Sequence, residues 1–491
     1  MIQKIAILLT DFYKQSHAQQ YESNIKYLTS YYVPRSSRIA DWKFVPVIGI
    51  QRFIKEYLIE YFEKYFFKIS WIDIENAYLE VMTSTYDGEG LGLNRIKNLH
   101  NLGYLPLEIN AIAEGTKVPV GCPILEIRNT HPEFPWCVNL IESLMSSQLW
   151  YPMVTAMSGY QYRQIVNKYY NETADVSGCS AISDFSLRGT MGIDAGSLAT
   201  MGFLLSFNKT ATIPAIIDIH NFYGDPMNII ASGMRSTEHS VACSSFSITG
   251  DEESLINRLL DQYPTGNFSM VSDSYDYWNL IENIIPKFKN KIIFRQGTIF
   301  IRPDSGDPVE NTTKSVFKLW EIFGGEINTK GYKVLDSHIR VIYGDAITQV
   351  RAKQIYQILK DNGFAANNVA LGAGSFSMLC LMDDNGDLNP YTRDTFNVGI
   401  KTVAGSYASD DELKEMFIFK NPKTDNEHFK KSHKGHVLVY KDNGEIKYKD
   451  ELLYSESHID TNLLQPVFKN GILLRSTTFT EVRNNLWKGE F

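Results

Sequence analysis

From about Ala181 onward, short apolar runs alternate with longer stretches whose apolar residues recur every three or four positions. Ala181-Ile182-Ser183 gives way to Asp184 and Phe185, with Arg188-Gly189 just after, and residues 268–272 lead into Asp273. Residues 298–301 lead into Arg302 and Asp304, residues 339–343 into Gly344-Asp345, and residues 369–371 into Gly372-Ala373-Gly374-Ser375. Continuous apolar runs of this length fit strands buried on both faces. Between them, residues 347–361 place Ile347, Val350, Ile355, Ile358 and Leu359 on one helical face, and Gly363 is positioned to stop that helix. Residues 311–323 and 275–285 follow the same period. Alternating strands and helices predict parallel βα units. Polar groups at the ends of successive strands predict an α/β fold of the βα-barrel kind with its site at that rim. A doubly wound sheet is the second architecture the pattern allows.

The flanks have a different texture. Residues 1–11 read as a first strand, residues 53–67 as an aromatic-rich helix and residues 105–112 as extended chain. Residues 138–157 form the most membrane-like stretch, but Glu142 and several Ser and Gln residues fit an amphipathic core helix better. Extended pieces return after about Val398.

Composition narrows the class. The chain has 491 residues, 44% apolar and 21% charged, which suits an enzyme of two or three domains. A net charge of −8 argues against nucleic acid as the main partner. The five cysteines are scattered and lack a CxxC pair, which fits reduced thiols. The N-terminal apolar run is too short for a signal peptide, so a cytoplasmic protein without membrane association is expected.

The strand exits carry the candidate chemistry. Arginine at position 302 suits phosphate oxygens, and aspartate at 304 suits a metal, a ribose hydroxyl or a developing cation. A buried Arg–Asp pair closing a strand is the competing reading. Asp184, Asp273, Asp304 and Asp345 stand at four such exits; two within reach of one another could hold Mg²⁺, whereas any one alone is more often a cap or turn residue. The Gly372–Ser375 turn could cradle a phosphate, its N–H groups aided by a following helix, or be an ordinary tight turn. Arg393, Lys401, Lys420 and the basic run Lys430, Lys431, Lys434 offer cations downstream, although surface lysines are usually just solvated. His239 lies in the turn most like a catalytic one, where Glu238 could tune its imidazole; a structural or surface histidine is the alternative. No second histidine lies at ligand spacing from it, which argues against zinc there. Residues 10–17 put Asp11, Tyr13, Lys14 and His17 directly after the first apolar run, as a site contribution or as a capped helix start.

These pieces, in this order, resemble the nicotinamide phosphoribosyltransferases, a type II phosphoribosyltransferase family with nicotinate phosphoribosyltransferases as nearest relatives. The landmarks are Thr10-Asp11-Phe12-Tyr13-Lys14, residues 105–109, Trp150-Tyr151-Pro152, Asp184-Phe185 with Arg188-Gly189, Glu238-His239-Ser240, residues 271–276, residues 301–306, Gly344-Asp345, Thr392-Arg393-Asp394 and residues 467–471. The resemblance implies phosphoribosyl transfer from 5-phosphoribosyl 1-pyrophosphate to nicotinamide with Mg²⁺, in NAD salvage. It implies an irregular βα barrel over residues 151–399, and an α+β domain built from residues 1–150 and 400–491. It also implies a homodimer with shared sites. Phe185 and the other subunit's copy of Tyr13 would sandwich the pyridine. Arg302 would face ring and phosphates, Arg188 would line the pocket, and Asp11 would join the substrate contacts. Asp304 and Asp273 would handle ribose, pyrophosphate or Mg²⁺, with Asp345 and Gly344 at the ribose hydroxyls. Gly374 and Ser375 would hold the 5′-phosphate, with Arg35, Arg393, Lys401 and Lys420 reaching across the interface. His239 would be phosphorylated by ATP to drive the reaction forward.

Departures from the family pattern bear on the base. Where the family carries an aspartate for the nicotinamide amide, gap-free counting from Phe185 and Arg188 finds Ala211. That removes an acceptor for the amide and a repulsion against nicotinate. Arg235 stands where the family usually has a small or apolar residue, so nicotinate is the alternative base. Ser183 and Ser375-Phe376 are further departures. Two other classes remain: a non-catalytic binding protein on this fold, which would lack the site residues, and a sugar-phosphate aldolase or isomerase. An aldolase would need a buried lysine at a strand end, and none of the five exits carries one.

Overall fold

The computed structural model describes residues 4–85, 92–383, 385–422 and 432–491; Lys430 and Lys431 of the basic run lie outside these. The chain divides into two compact units. One comprises Met1–Val154, Asp218–Asp225 and Thr392–Glu490, the other Thr155–Ile217, Pro226–Tyr391 and Phe491.

The second unit holds seven parallel strands: β1 (Ile182–Asp184), β2 (Lys209–Thr210), β3 (Arg235–Ser236), β4 (Phe268–Val271), β5 (Ile299–Arg302), β6 (Ile339–Tyr343) and β7 (Val369–Ala373). Their order in the sheet is β2-β1-β7-β6-β5-β4-β3. A parallel bridge from Lys209 to Ser232 then joins the β2 edge to the segment leading into β3. The Thr210 N–H donates to Ser232 O at 3.3 Å, and the Ser232 N–H donates to Asn208 O at 3.1 Å. Strands therefore follow one another around the ring in chain order, as a βα barrel requires and a doubly wound sheet does not. All four residues of β4 are buried, as are Ile299, Ile301, Val341 and Leu371, which is why these strands read as continuous apolar runs.

Local chemistry fixes the connecting helices. Asp307 caps helix Pro308–Phe323 by accepting from the Val309 and Glu310 N–H groups, with Pro308 at the first helical position. Thr348 caps helix Gln349–Asp361 through the Arg351 N–H, and Gly363 beyond it takes φ +74°. That helix buries Ala352, Ile355, Tyr356 and Leu359; Ile347 is buried ahead of it, and Val350 and Ile358 are only half-buried. The helix expected over residues 275–285 begins at Tyr277 instead, behind the Asp276 cap, and passes through π and 3-10 turns. Pro286 lacks the N–H that a regular α-helix would need there.

The first unit is built on an antiparallel sheet with strand order Glu412–Phe417, Val398–Ser409, Ile25–Pro34, Leu125–Asn129, Leu107–Ala111, Gln465–Lys469 and Ile472–Leu473. Both chain ends thus contribute strands to one sheet. Of the strand expected at residues 1–11, residues 1–3 lie outside the described residues and residues 4–11 form no strand: Ala6–Leu8 is a 3-10 turn in which the Ile7 carbonyl accepts from Gln15 Nε2 rather than from a strand. A short apolar run carries no periodicity that separates a strand from a buried turn. The aromatic stretch of residues 50–67 is helical, largely with π geometry. Residues 137–173 form helices Cys137–Leu140 and Glu142–Thr173, and no helix among the described residues is long and apolar enough to cross a membrane. All five cysteines are free.

Asp184 is the polar keystone of the barrel's first two strands. It is fully buried, and its Oδ2 accepts from the hydroxyls of Thr200 (2.8 Å), Thr210 (2.7 Å) and Thr212 (2.7 Å), while Oδ1 accepts from the Ser186 N–H (3.0 Å). This corrects its candidacy as a metal carboxylate, because its acceptor capacity is spent inside the fold. Removing the carboxylate strands three buried hydroxyls. Asp184→Ala is expected to lower stability by about 3 kcal/mol. A thermal or urea unfolding midpoint unchanged from the parent would contradict that role.

Candidate active site

The exits of β4 and β5 are locked together by one carboxylate. Asp273, two residues past the end of β4, accepts from the Asp304 N–H at 2.9 Å and from Ser305 Oγ at 2.5 Å. That clamp fixes the turn carrying Arg302 and Asp304. Arg302 is 13% exposed, its Nη2 donates to the Thr237 carbonyl at 2.7 Å, and its Nε lies 3.3 Å from Asp304 Oδ2. Both readings of this segment therefore meet in one place: an Arg–Asp pair, set at the barrel rim.

Further carboxylates crowd the same edge. Burial raises the Asp304 pKa; Arg302 and His239 oppose that rise, and Asp273 and Asp345 add to it. The Tyr343 hydroxyl, which donates to the Gly306 carbonyl at 3.2 Å, is pushed up to about 12 by burial and by Asp345, Asp304, Asp273 and Asp307. Such a field wants a cation. Asp273 Oδ1 is buried without a hydrogen-bond partner, as an oxygen kept for a ligand would be. Asp273, Asp304 and Asp345 carry oxygens of the kind Mg²⁺ takes, but among the described residues their ligand atoms are not gathered within 4.8 Å of one another, so water would have to complete any ion's shell.

His239 opens helix His239–Thr249 beside this clamp. Its Nδ1 lies 3.0 Å from Ser274 Oγ and its Nε2 3.7 Å from Asp273 Oδ1, with the side chain 49% exposed. The Glu238 carboxylate takes the Ser240 hydroxyl rather than the imidazole. Ser274 and Asp273 face the ring in its place.

Phe185 borders the other side of the rim. Its N–H donates to the Ala373 carbonyl at 2.8 Å, and its ring lies so close to Gly372 that a Cβ there would sit 2.6 Å from ring Cδ2. The same Cβ would meet Gly344 Cα at 2.7 Å, and a Cβ on Gly344 would be 3.6 Å from Asp304 Oδ1. Two glycines therefore let Phe185 approach the aspartates. Ala211 is exposed and donates its N–H to the Asp184 carbonyl at 2.8 Å, next to Phe185 in the chain. Arg188 is exposed, and Gly189 packs against Ser375, whose Oγ would lie 2.2 Å from a Cβ at that glycine. Gly374 has open space beside it, but the following helix, Ser375–Leu379, is too short to add much dipole.

Arg235 lies elsewhere. It pairs in register with Phe268, the first residue of β4, whereas Arg302 is level with Val271, the last. Its guanidinium sits over the Tyr263 ring, 5.1 Å from the centroid, so the expected place beside the base is corrected. A two-residue strand gave no alternation from which to read its direction.

The remaining candidates belong to the first unit. Arg35 donates to the Asn397 carbonyl (3.0 Å) and Oδ1 (2.8 Å), folding over Gly399, where a Cβ would meet its Nε at 2.9 Å. Burial lowers the Lys401 pKa; Glu142 opposes that, and Arg35, Lys14 and Lys420 reinforce it, so these cations share one field. Arg393 pairs with Asp394 at 3.0 Å. Asp11 precedes helix Phe12–Gln20 but accepts from Ser143 Oγ rather than capping it, and Tyr13 is 54% exposed. Thr237, Ser274 and Ser305 are the residues sequence reasoning missed; only Ser274 carried a signal, in the Ser272-Asp273-Ser274 repeat of small polar groups.

Residues 180–471 match the nicotinate phosphoribosyltransferase (NAPRTase) family. A nicotinamide phosphoribosyltransferase of Acinetobacter baylyi is 33% identical, over 97% of this chain and 96% of the relative. The chain belongs to the NAPRTase family. A nicotinamide phosphoribosyltransferase of Xanthomonas campestris pv. campestris is 29% identical over 97% of each chain. Among solved structures, nicotinate-nucleotide pyrophosphorylase from Pyrococcus furiosus matches with TM-score 0.57 at 12% identity, covering 98% of this chain and 94% of that one. Human nicotinic acid phosphoribosyltransferase matches with TM-score 0.55 at 14% identity, over 98% and 93%. These structural likenesses establish the type II phosphoribosyltransferase fold, with its added antiparallel-sheet domain.

The glycine contact makes a direct test of this NAPRTase-family rim. Gly372→Ala forces a methyl between the Phe185 ring and the Gly344 backbone, and is expected to cost about 2 kcal/mol of stability. An unfolding midpoint equal to the parent's would show that the ring can yield freely.

Proposed function

We propose that this chain transfers the phosphoribosyl group of 5-phosphoribosyl 1-pyrophosphate to nicotinamide, yielding nicotinamide mononucleotide and pyrophosphate. The observation that carries the reading is the juxtaposition, on one barrel rim, of the Phe185 ring with Arg302, Asp304 and Asp273. The relatives' names support nicotinamide as the base.

The chemistry follows from the residue types. The pyridine nitrogen attacks C1 of the ribose as the C1–O bond to pyrophosphate breaks, its electron pair leaving with oxygen. Positive charge builds on the sugar and negative charge on the leaving group. Asp304 and Asp345 stabilise the first, and Arg302 meets the second. Mg²⁺, held by Asp273 and Asp304 directly or through water, would neutralise pyrophosphate charge. Phe185 orients the ring, so no general base is needed. Arg188 borders the pocket, and the Gly374–Ser375 backbone meets the 5′-phosphate. Two subunits of a cytoplasmic homodimer complete each site, with Tyr13, Asp11, Arg35, Arg393, Lys401 and Lys420 supplied from the second copy.

ATP enters through His239. In the tautomer whose Nδ1–H donates to Ser274 Oγ, Nε2 attacks the γ-phosphorus, and ADP leaves as the P–O bond breaks. The exposed imidazole is reachable for that step. His239→Ala is expected to abolish ATP-dependent stimulation while slow transfer persists; full ATP coupling in the variant would remove His239 from the scheme.

Nicotinate remains the second reading because Ala211 provides no carboxylate to repel it. Arg235 no longer supports it. Side-by-side rates are expected to favour nicotinamide by about tenfold or more. Ala211→Asp should widen that preference by about another tenfold through like-charge repulsion. A parent enzyme faster with nicotinate would overturn the assignment of the base.

A further inference from the structure

Far along the chain from the rim residues, the first unit gathers two histidines and a glutamate. Glu126, His436 and His458 each offer a ligand atom, and these atoms all lie within 4.8 Å of one another. The residues come from three places: strand Leu125–Asn129, strand His436–Asp442, and the turn after helix Tyr454–Ser457. Glu126 and His436 are buried, at 1% and 4% exposure. From this geometry we infer a binding site for a divalent first-row transition metal ion, Zn²⁺ the leading candidate, that pins the hairpin beginning at His436 onto the central sheet.

The cluster is built as such a site is built. His458 Nε2 lies 3.0 Å from Glu126 Oε1, close to the separation of neighbouring ligand atoms around one metal. The other nitrogen of His458, Nδ1, lies 3.0 Å from the Tyr454 carbonyl and 2.9 Å from Ser457 Oγ. That backbone contact fixes the tautomer and aims Nε2 inward, as metal-bound histidines require. The second oxygen of Glu126 accepts from the Tyr31 hydroxyl at 3.1 Å, and that hydroxyl accepts from the Val437 N–H at 3.0 Å, leaving Oε1 to ligate. The Tyr454 ring stacks on His458 with centroids 3.9 Å apart, fixing the imidazole plane. Independently of these contacts, His436 Nδ1 is buried without a hydrogen-bond partner, a cost that a cation ligated through that nitrogen would remove. Two histidines and one carboxylate suit Zn²⁺, Co²⁺ or Fe²⁺ better than Mg²⁺. The Arg128 guanidinium, 4.2 Å from the Tyr454 ring, is the nearby charge that disfavours a cation. Without a metal, the cluster is a buried His–Glu ion pair.

The test uses the full chain, stripped with a chelator and then titrated with Zn²⁺ or Co²⁺. One ion per chain is expected by elemental analysis, with visible Co²⁺ bands from nitrogen ligation and a higher unfolding midpoint than in chelator. His436→Gln and Glu126→Gln, which preserve volume, should each weaken binding at least about tenfold. Asp273→Asn should leave the Co²⁺ bands unchanged, separating this site from the barrel rim. If either cluster variant fails to fold, the metal-dependent midpoint and Co²⁺ spectrum of the parent decide alone. No bound ion, or equal binding by parent and His436→Gln, overturns the inference in favour of the ion pair.

Discussion

The rim depends on the Asp273 carboxylate accepting two hydrogen bonds from the β5 exit. Parallel strands are held to each other only through their ladders, and the loops beyond them have no such constraint. By taking the Asp304 N–H and the Ser305 hydroxyl, Asp273 makes two neighbouring exits move as one body. Arg302 is fixed from the other side by the Thr237 carbonyl, so its charge cannot swing away from Asp304. The cost is a carboxylate oxygen buried without a hydrogen-bond partner. Such a cost persists where a ligand relieves it.

Carboxylates at strand ends have opposite fates here. Asp184 has three threonine hydroxyls and an N–H around it, and it serves the fold. Asp304 is partly buried at the rim, and that burial raises its proton affinity against the pull of Arg302, with Asp273 and Asp345 adding to the rise. Hydrogen-bond saturation, rather than residue type or place along the strand, separates the structural acid from the chemical one. Glycine is the complementary device: Gly372 and Gly344 bring an aromatic ring and a carboxylate to one edge by having no side chains between them.

Much of this was legible in the chain. Strands buried on both faces show themselves as apolar runs, and a run that breaks at arginine or aspartate marks a rim. The βα alternation carried the barrel, and Gly363 carried a helix end through its own backbone chemistry. The Asp307 side-chain cap, which starts helix Pro308–Phe323 ahead of the expected residue 311, was not read. What was not legible depends on direction and on distance along the chain. Residues 4–11 read as strand in the sequence although they form a turn, because an apolar triplet buries equally well in either. Arg235 was misplaced because its strand has two residues. Ser274 and Thr237 act through a hydroxyl and a carbonyl, groups that no spacing distinguishes. The Glu126–His458 contact joins residues 332 positions apart, beyond the reach of any local ligand pattern.

The central claim is that pyridine, ribose and phosphates meet along the edge running from Phe185 to Asp273. A crystal structure of the protein with nicotinamide mononucleotide tests it most directly. The expected density places the pyridine against Phe185, the ribose hydroxyls at Asp304 and Asp345, and the 5′-phosphate at the Gly374–Ser375 backbone. A nucleotide bound elsewhere, with Phe185 and the three aspartates untouched, would contradict it.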